Sequence, residues 1–512
     1  MRALLVTSVG VTCAAALTLP LATPAASAPA PHSASALPPS TSPASPGAGP
    51  PSVQAEATTV EATTREALAP SDVRSAAEPS GSTQSLPLAP LDAPSNRVAG
   101  APAAQGLPQR DARPFSLVGV VWDDAEAELH GTVQVRTRAT GTTRWSDWQD
   151  VETHNAEHAA DLGSAEREGR TVRGATAPLW VGDSDGVEVR VRPEARDPQD
   201  RAATPVPLPA GMRLELVDPG EGPGEGSGEN PAEDSAPEPA RGAPVGRAAA
   251  VPARFADTPP TAVALPEVLT AEIAAASAVN AELAEIGATV IPALTQAETL
   301  ESMELAPGAK PYIGPRPGIV TRKGWGADEK LREKNFAYTK TVKAAFVHHS
   351  ATGNNYTCKQ APSVLRSIYR YHVKSSGWRD FGYNFAVDKC GNIYEGRAGG
   401  VTKAVLGAHT LGFNTNTMGI AVLGSYGSTN PPAAAVTAVS KLTAWKLGLF
   451  GRNPKGKITL VSGGSNKYKA GVKVKMNVIS GHRDGFATEC PGARLYKKLG
   501  KARTSSAKLQ GR

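Results

Sequence analysis

Every lysine of this 512-residue chain lies at or beyond Lys310, and upstream of it every Lys/Arg position is arginine. From Pro311 to the end there are 33 basic and 8 acidic residues, a net of +25; residues 1–310 hold 21 and 40, a net of −19. A division this sharp excludes one uniform domain and predicts an acidic N-terminal portion joined to a basic C-terminal one. The length suits roughly two or three domains. With 44 Pro, 51 Gly and only 5% aromatic residues, much of the chain cannot be densely packed core.

Residues 1–28 read as a signal peptide: Met1-Arg2, an apolar run through Leu17-Thr18-Leu19, and a small-x-small site at Ala26-Ser27-Ala28. The run is short for a bilayer span, so no transmembrane anchor is expected in the mature chain. Residues 29–113, rich in Ala, Pro, Ser and Thr, are expected to be disordered. Between 114 and 217 apolar and polar residues alternate, as in Val133-Gln134-Val135-Arg136 and Val187-Glu188-Val189-Arg190, which predicts a small all-β accessory domain. His130, His154 and His158 of this region show no paired ligand spacing and read as surface histidines. Residues 218–310 read as a linker with possible helices, and 311–505 as one α/β domain.

The chemistry concentrates in that last stretch. Ala344 to Ser350 is a strand-like apolar run ending in His348 and His349, whose side chains fall on opposite faces of a strand. Val478-Ile479-Ser480-Gly481-His482 repeats the device, and Cys490 follows in a turn, Thr488-Glu489-Cys490-Pro491-Gly492. Two imidazoles and a thiolate suit Zn²⁺, and three protein ligands leave a fourth position open, the arrangement of a catalytic rather than a structural site. Taken singly, each histidine reads equally well as a hydrogen-bonded structural residue.

Several separated motifs carry a resemblance over 311–502: Val347-His348-His349-Ser350, Gly377-Trp378, Phe381-Gly382-Tyr383-Asn384-Phe385, Ile393-Tyr394-Glu395-Gly396-Arg397, Gly407 to Asn414, Met418-Gly419-Ile420-Ala421, and Gly481-His482-Arg483 through Cys490-Pro491-Gly492. In order and spacing they resemble the type-2 N-acetylmuramoyl-L-alanine amidases, in their bacterial peptidoglycan-recognition-protein-like branch. The resemblance implies a mixed β-sheet flanked by helices, one Zn²⁺ held by His348, His482 and Cys490, and catalytic roles for Tyr383 and Thr488. It also implies pairing of Cys358 with Cys390, with two free thiols as the alternative. The β-domain looks like an accessory region of actinobacterial relatives.

Pro362 is placed to open a helix over Ser363 to His372. By the resemblance, His349, His372, Trp378, Arg397, His409 and Asn414 border the substrate, Trp378 and Arg397 pointing to diaminopimelic-acid-type stem peptides, although Trp378 reads equally as core. The implied activity is hydrolysis of the amide between the lactyl group of N-acetylmuramic acid and L-alanine, in a secreted, cell-wall-associated protein. A peptidoglycan-binding receptor with little or no hydrolysis is the competing reading. The basic charge suits anionic wall polymers, while nucleic acid is not expected as a partner, since no recognition helix or aromatic RNA-binding pattern accompanies it.

Overall fold

The computed structural model describes residues 81–91, 104–194 (save 154, 156, 157 and 165), 206–223, 269–303 and 311–512. The predicted signal peptide, and residues 29–80 of the stretch expected to be disordered, lie outside the described residues.

The acidic region contains an eight-stranded sheet. Its main path runs Ser82–Pro87, Arg213–Asp218, Gln105–Trp122, Leu179–Pro193, Gly131–Ala139 and Gln149–Val151, each pair antiparallel. The alternation works as expected: Val133, Val135 and Thr137 are buried while Gln134, Arg136 and Arg138 lie on the other side. The strands begin earlier than residue 114, which corrects the expectation of disorder up to 113. Ser82–Pro87 has few apolar residues of its own, but pairing along its whole length with Arg213–Asp218 satisfies its backbone, and Leu86 packs on the core.

The basic region forms a seven-stranded mixed sheet. We label its strands β1 (Val290–Ile291), β2 (Ile319–Val320), β3 (Ala344–His349), β4 (Phe385–Val387), β5 (Ile393–Glu395), β6 (Thr417–Val422) and β7 (Ile479–Gly481), and its helices α1 (Ala361–Arg370), α2 (Ala433–Leu449) and α3 (Leu499–Leu509). The order is β7-β3-β6-β4-β5-β2-β1, with β3 parallel to both β7 and β6. All six residues of β3 are buried, as a strand covered on both faces requires. Ala345 and Val347 face the cluster built with Leu442 and Trp445 of α2 and Leu499 of α3. Val364, Leu365 and Ile368 of α1 cover Ala386 and Ala421 on the other side. Helix α1 carries Pro362 near its start and widens into a π turn over Tyr371–Ser375.

Two further boundaries differ from the sequence reading. β1 and the helix Ala271–Ala278 belong to the α/β domain rather than to a linker ending at 310: β1 pairs antiparallel with β2, and Ile291 is fully buried. The two regions also share a core, since Leu117, Val121, Trp180 and Val217 of the β-domain pack in one cluster with Val364, Leu365 and Ile368. Cys358 and Cys390 form a disulfide that ties the loop before α1 to the turn between β4 and β5.

Candidate metal centre

The sheet sets the site. In the parallel register Val347 of β3 lies opposite Gly481 of β7, so His348 and His482 follow side by side at the carboxyl ends of neighbouring strands. Cys490 returns beside them through the turn after β7, where the Arg483 N–H donates to its carbonyl at 3.0 Å. The Cys490 Sγ lies 3.8 Å from His348 Nδ1, and the ring centroids of His348 and His482 are 4.5 Å apart. Thr410 supports the group from behind, its hydroxyl 3.4 Å from His348 Nε2 and 3.0 Å from His409 Nδ1. That contact leaves Nδ1 of His348 as the nitrogen facing the thiol.

A fourth donor joins them. His158 of the β-domain, expected at the surface, is buried, with Nε2 3.6 Å from Cys490 Sγ and its ring centroid 4.5 Å from that of His482. Donor atoms of His158, His348, His482 and Cys490 all lie within 4.8 Å of one another. The surface expectation fails because nothing in the local sequence around His158 registers a partner that belongs to another domain. His130, by contrast, stays half-exposed and apart from the group, and His154 lies outside the described residues.

Burial holds His348 and His158 neutral, the form that a metal needs. Desolvation pushes His348 and His158 well below the ordinary histidine range, and neighbouring imidazoles push in the same direction. The donor set therefore fits zinc: borderline-soft nitrogen and sulfur atoms, packed together, with His158 Nδ1 buried and lacking a hydrogen-bond partner among the described residues.

The other expected residues surround this group. The Tyr383 ring is 5.3 Å from that of His348. Thr488 is half-buried and accepts from the Cys490 N–H at 3.1 Å. His349 turns away from the donors, as strand alternation dictates, and accepts from the Tyr426 N–H. His372 stacks on Trp378 at 4.4 Å, and its Nδ1 accepts from the Gly382 N–H at 3.2 Å. Trp378 is 6% exposed and lines a cavity of about 320 Å³ between the two regions, with Val172, Arg173 and Phe486.

Three acids of the β-domain reach the α/β domain. Glu166 pairs with Arg397, Asp161 accepts from Asn414 Nδ2 at 2.8 Å and from the Gly412 N–H at 2.7 Å, and Glu215 accepts from Ser375. Asn414 in turn accepts from the backbone N–H groups of His409 and Thr410. None of the β-domain partners had a motif to mark it. The only sequence signal of Asp161 and Glu166 is a run of acids and arginines between two strand patterns, while Glu215 lies within the strand Arg213–Asp218.

Residues 338–493 match the N-acetylmuramoyl-L-alanine amidase family model, and residues 69–209 match the Rv3811 N-terminal galactose-binding domain-like family. Peptidoglycan-recognition protein SC2 of Drosophila simulans is 30% identical over 183 residues, which is 35% of this chain and 84% of that protein. The human N-acetylmuramoyl-L-alanine amidase is 30% identical over 187 residues, covering 36% of this chain and 28% of that protein. Among solved structures, wild-type Drosophila PGRP-LB aligns at 26% identity and a TM-score of 0.29, covering 35% of this chain and 91% of that one.

Proposed function

The chain belongs to the peptidoglycan recognition protein and N-acetylmuramoyl-L-alanine amidase family, and on that premise we propose that it is an exported, zinc-dependent amidase of peptidoglycan. The bond cut is the amide between the lactyl group of N-acetylmuramic acid and L-alanine. One observation carries the reading: His348, His482 and Cys490 converge at the end of β3 beside Tyr383. A pure receptor needs a groove but has no need of a buried thiol among imidazoles.

His348, His482 and Cys490 would hold the metal, which when bound supplies Lewis-acid polarisation of a carbonyl and a nucleophile near neutral pH. The rest falls to the chain. Tyr383, whose ring lies 5.3 Å from that of His348, and Thr488 would donate their hydroxyls to the oxyanion that develops as the amide carbonyl becomes tetrahedral. Thr410 fixes the His348 ring through its second nitrogen. Arg397 offers a planar fork for a stem-peptide carboxylate, which favours diaminopimelic-acid-type stems. The net +25 of residues 311–512 suits retention among anionic wall polymers, an attraction that salt screens. Among the described residues no helix is long and apolar enough to cross a membrane.

Prolonged digestion of purified peptidoglycan tests the reading. New L-alanine amino termini without new reducing sugars are expected. Cys490→Ala should lower the yield by more than the roughly 100-fold that loss of a supporting outer contact costs. New reducing ends, which mark a glycosidase, or an unchanged yield with Cys490→Ala would overturn it.

A further inference from the structure

We infer that the described residues of the β-domain from His158 to Ser164 and from Glu166 to Arg173 are a built-in occupant of the active site, with His158 as a fourth metal ligand and Asp161 and Glu166 standing where substrate would bind. The inference rests on the amidase reading for the reaction being held back, but not for the coordination itself.

Three positions of the groove are filled at once. At the donor set, the His158 ring packs against those of His482 and His348, with centroids 4.5 and 5.2 Å away, and its Nε2 is 3.6 Å from the Cys490 sulfur. Asn414 and the Gly412 N–H are both bound by one Asp161 oxygen, at 2.8 and 2.7 Å. The Glu166 carboxylate meets the Arg397 guanidinium, both side chains only 4% exposed. Arg397 and Asn414 are two of the positions expected to border substrate, and the segment meets both with a carboxylate, the group that a stem peptide would offer Arg397.

The seat is built rather than incidental. Gly377 has φ +79°, and a Cβ there would lie 2.2 Å from the Thr171 carbonyl, so the glycine lets the segment close against the turn after α1. The Arg173 N–H donates to the Ser376 carbonyl at 3.1 Å, and Arg379 Nε donates to the Glu166 carbonyl at 3.0 Å. The shared apolar cluster beneath holds the domain that carries the segment.

Three protein ligands leave a catalytic metal one open position, whereas four make the closed set of a structural one. Substrate then binds only the fraction of chains in which the segment has lifted, and its apparent affinity falls by that fraction. The chain is therefore held latent by its own β-domain.

The test uses the zinc-loaded full chain, a His158→Ala variant, and an Asp161→Asn/Glu166→Gln double variant that keeps all four donors. X-ray absorption at the zinc edge should count three imidazoles and one sulfur in the parent and two imidazoles and one sulfur in His158→Ala. Peptidoglycan hydrolysis should rise about tenfold or more in His158→Ala and by a smaller factor in the double variant. The double variant decides the matter if His158→Ala does not fold. Two imidazoles in the parent, with equal hydrolysis by all three proteins, would overturn the inference and leave the amidase reading intact. Loss of one imidazole in His158→Ala with no hydrolysis by any of the three would uphold the closed coordination and sink the amidase reading instead.

Discussion

His372 shows how burial sets chemistry residue by residue. It is stacked on Trp378, accepts from the Gly382 N–H, and burial pushes its pKa down to about 3, with Arg397 adding to the shift. A histidine neutral in the fold but ordinary in the unfolded chain binds its proton only on unfolding between those two values. The unfolded state then takes up more protons, so stability is full above about pH 6.5 and declines as pH falls toward 3. At pH 5 this amounts to about 2 kcal/mol. His372→Asn keeps an acceptor for Gly382, so it should flatten the slope of stability against pH between 6.5 and 4 in chemical denaturation; an unchanged slope would place the acid sensitivity elsewhere. At this scale the sequence was informative where the candidate donors sit at strand ends. His348, His482 and Cys490 each close an apolar run or a turn that periodicity exposes. The burial of His158 was not legible, because it comes from docking across a domain boundary, and neither spacing nor periodicity in the loop that carries it encodes that.

Among the elements, the short segment ahead of residue 311 carries more than a linker would. Asn280, just beyond the helix Ala271–Ala278, donates to the Glu395 carboxylate at 2.9 Å and accepts from the Val401 N–H at 2.8 Å. Glu395 is fully buried, and desolvation raises its pKa to about 7. Asn280→Ala strips partners from a buried carboxyl and a buried amide together and should cost about 2–3 kcal/mol, read as a shift in denaturant midpoint with unchanged slope. A shift within error would mean that water replaces the asparagine. The composition of 264–302 allowed helices but could not reveal this attachment, since Val290 and Ile291 are too few to show a strand period. Strand β3 was far more legible because both its faces are covered and its apolar run is continuous.

Across the whole molecule, the charge division marked two portions but not their closeness. The acids of one reach the arginine and amide groups of the other, and an apolar cluster runs through both. Composition reports totals, whereas docking depends on which few acids face which few donors. The register of β3 against β7 has its own consequence for how such a chain can change. His348 and His482 are far apart along the chain, yet β3, which carries the first, and β7, which ends one residue before the second, are neighbours roughly 4.8 Å apart in the sheet. Their spacing is kept by backbone hydrogen bonds, so the polypeptide between them is free to lengthen wherever it touches nothing. Residues 428–430 are exposed, beyond the close approach of Gly427 to Gly492. A glycine-serine insertion there should leave zinc stoichiometry unchanged and cost less than about 1 kcal/mol of stability. Loss of zinc on such an insertion would show that the intervening chain, and not the ladder, is the ruler. A centre measured out this way can acquire new surface loops, and with them new recognition, without its donors having to be found again.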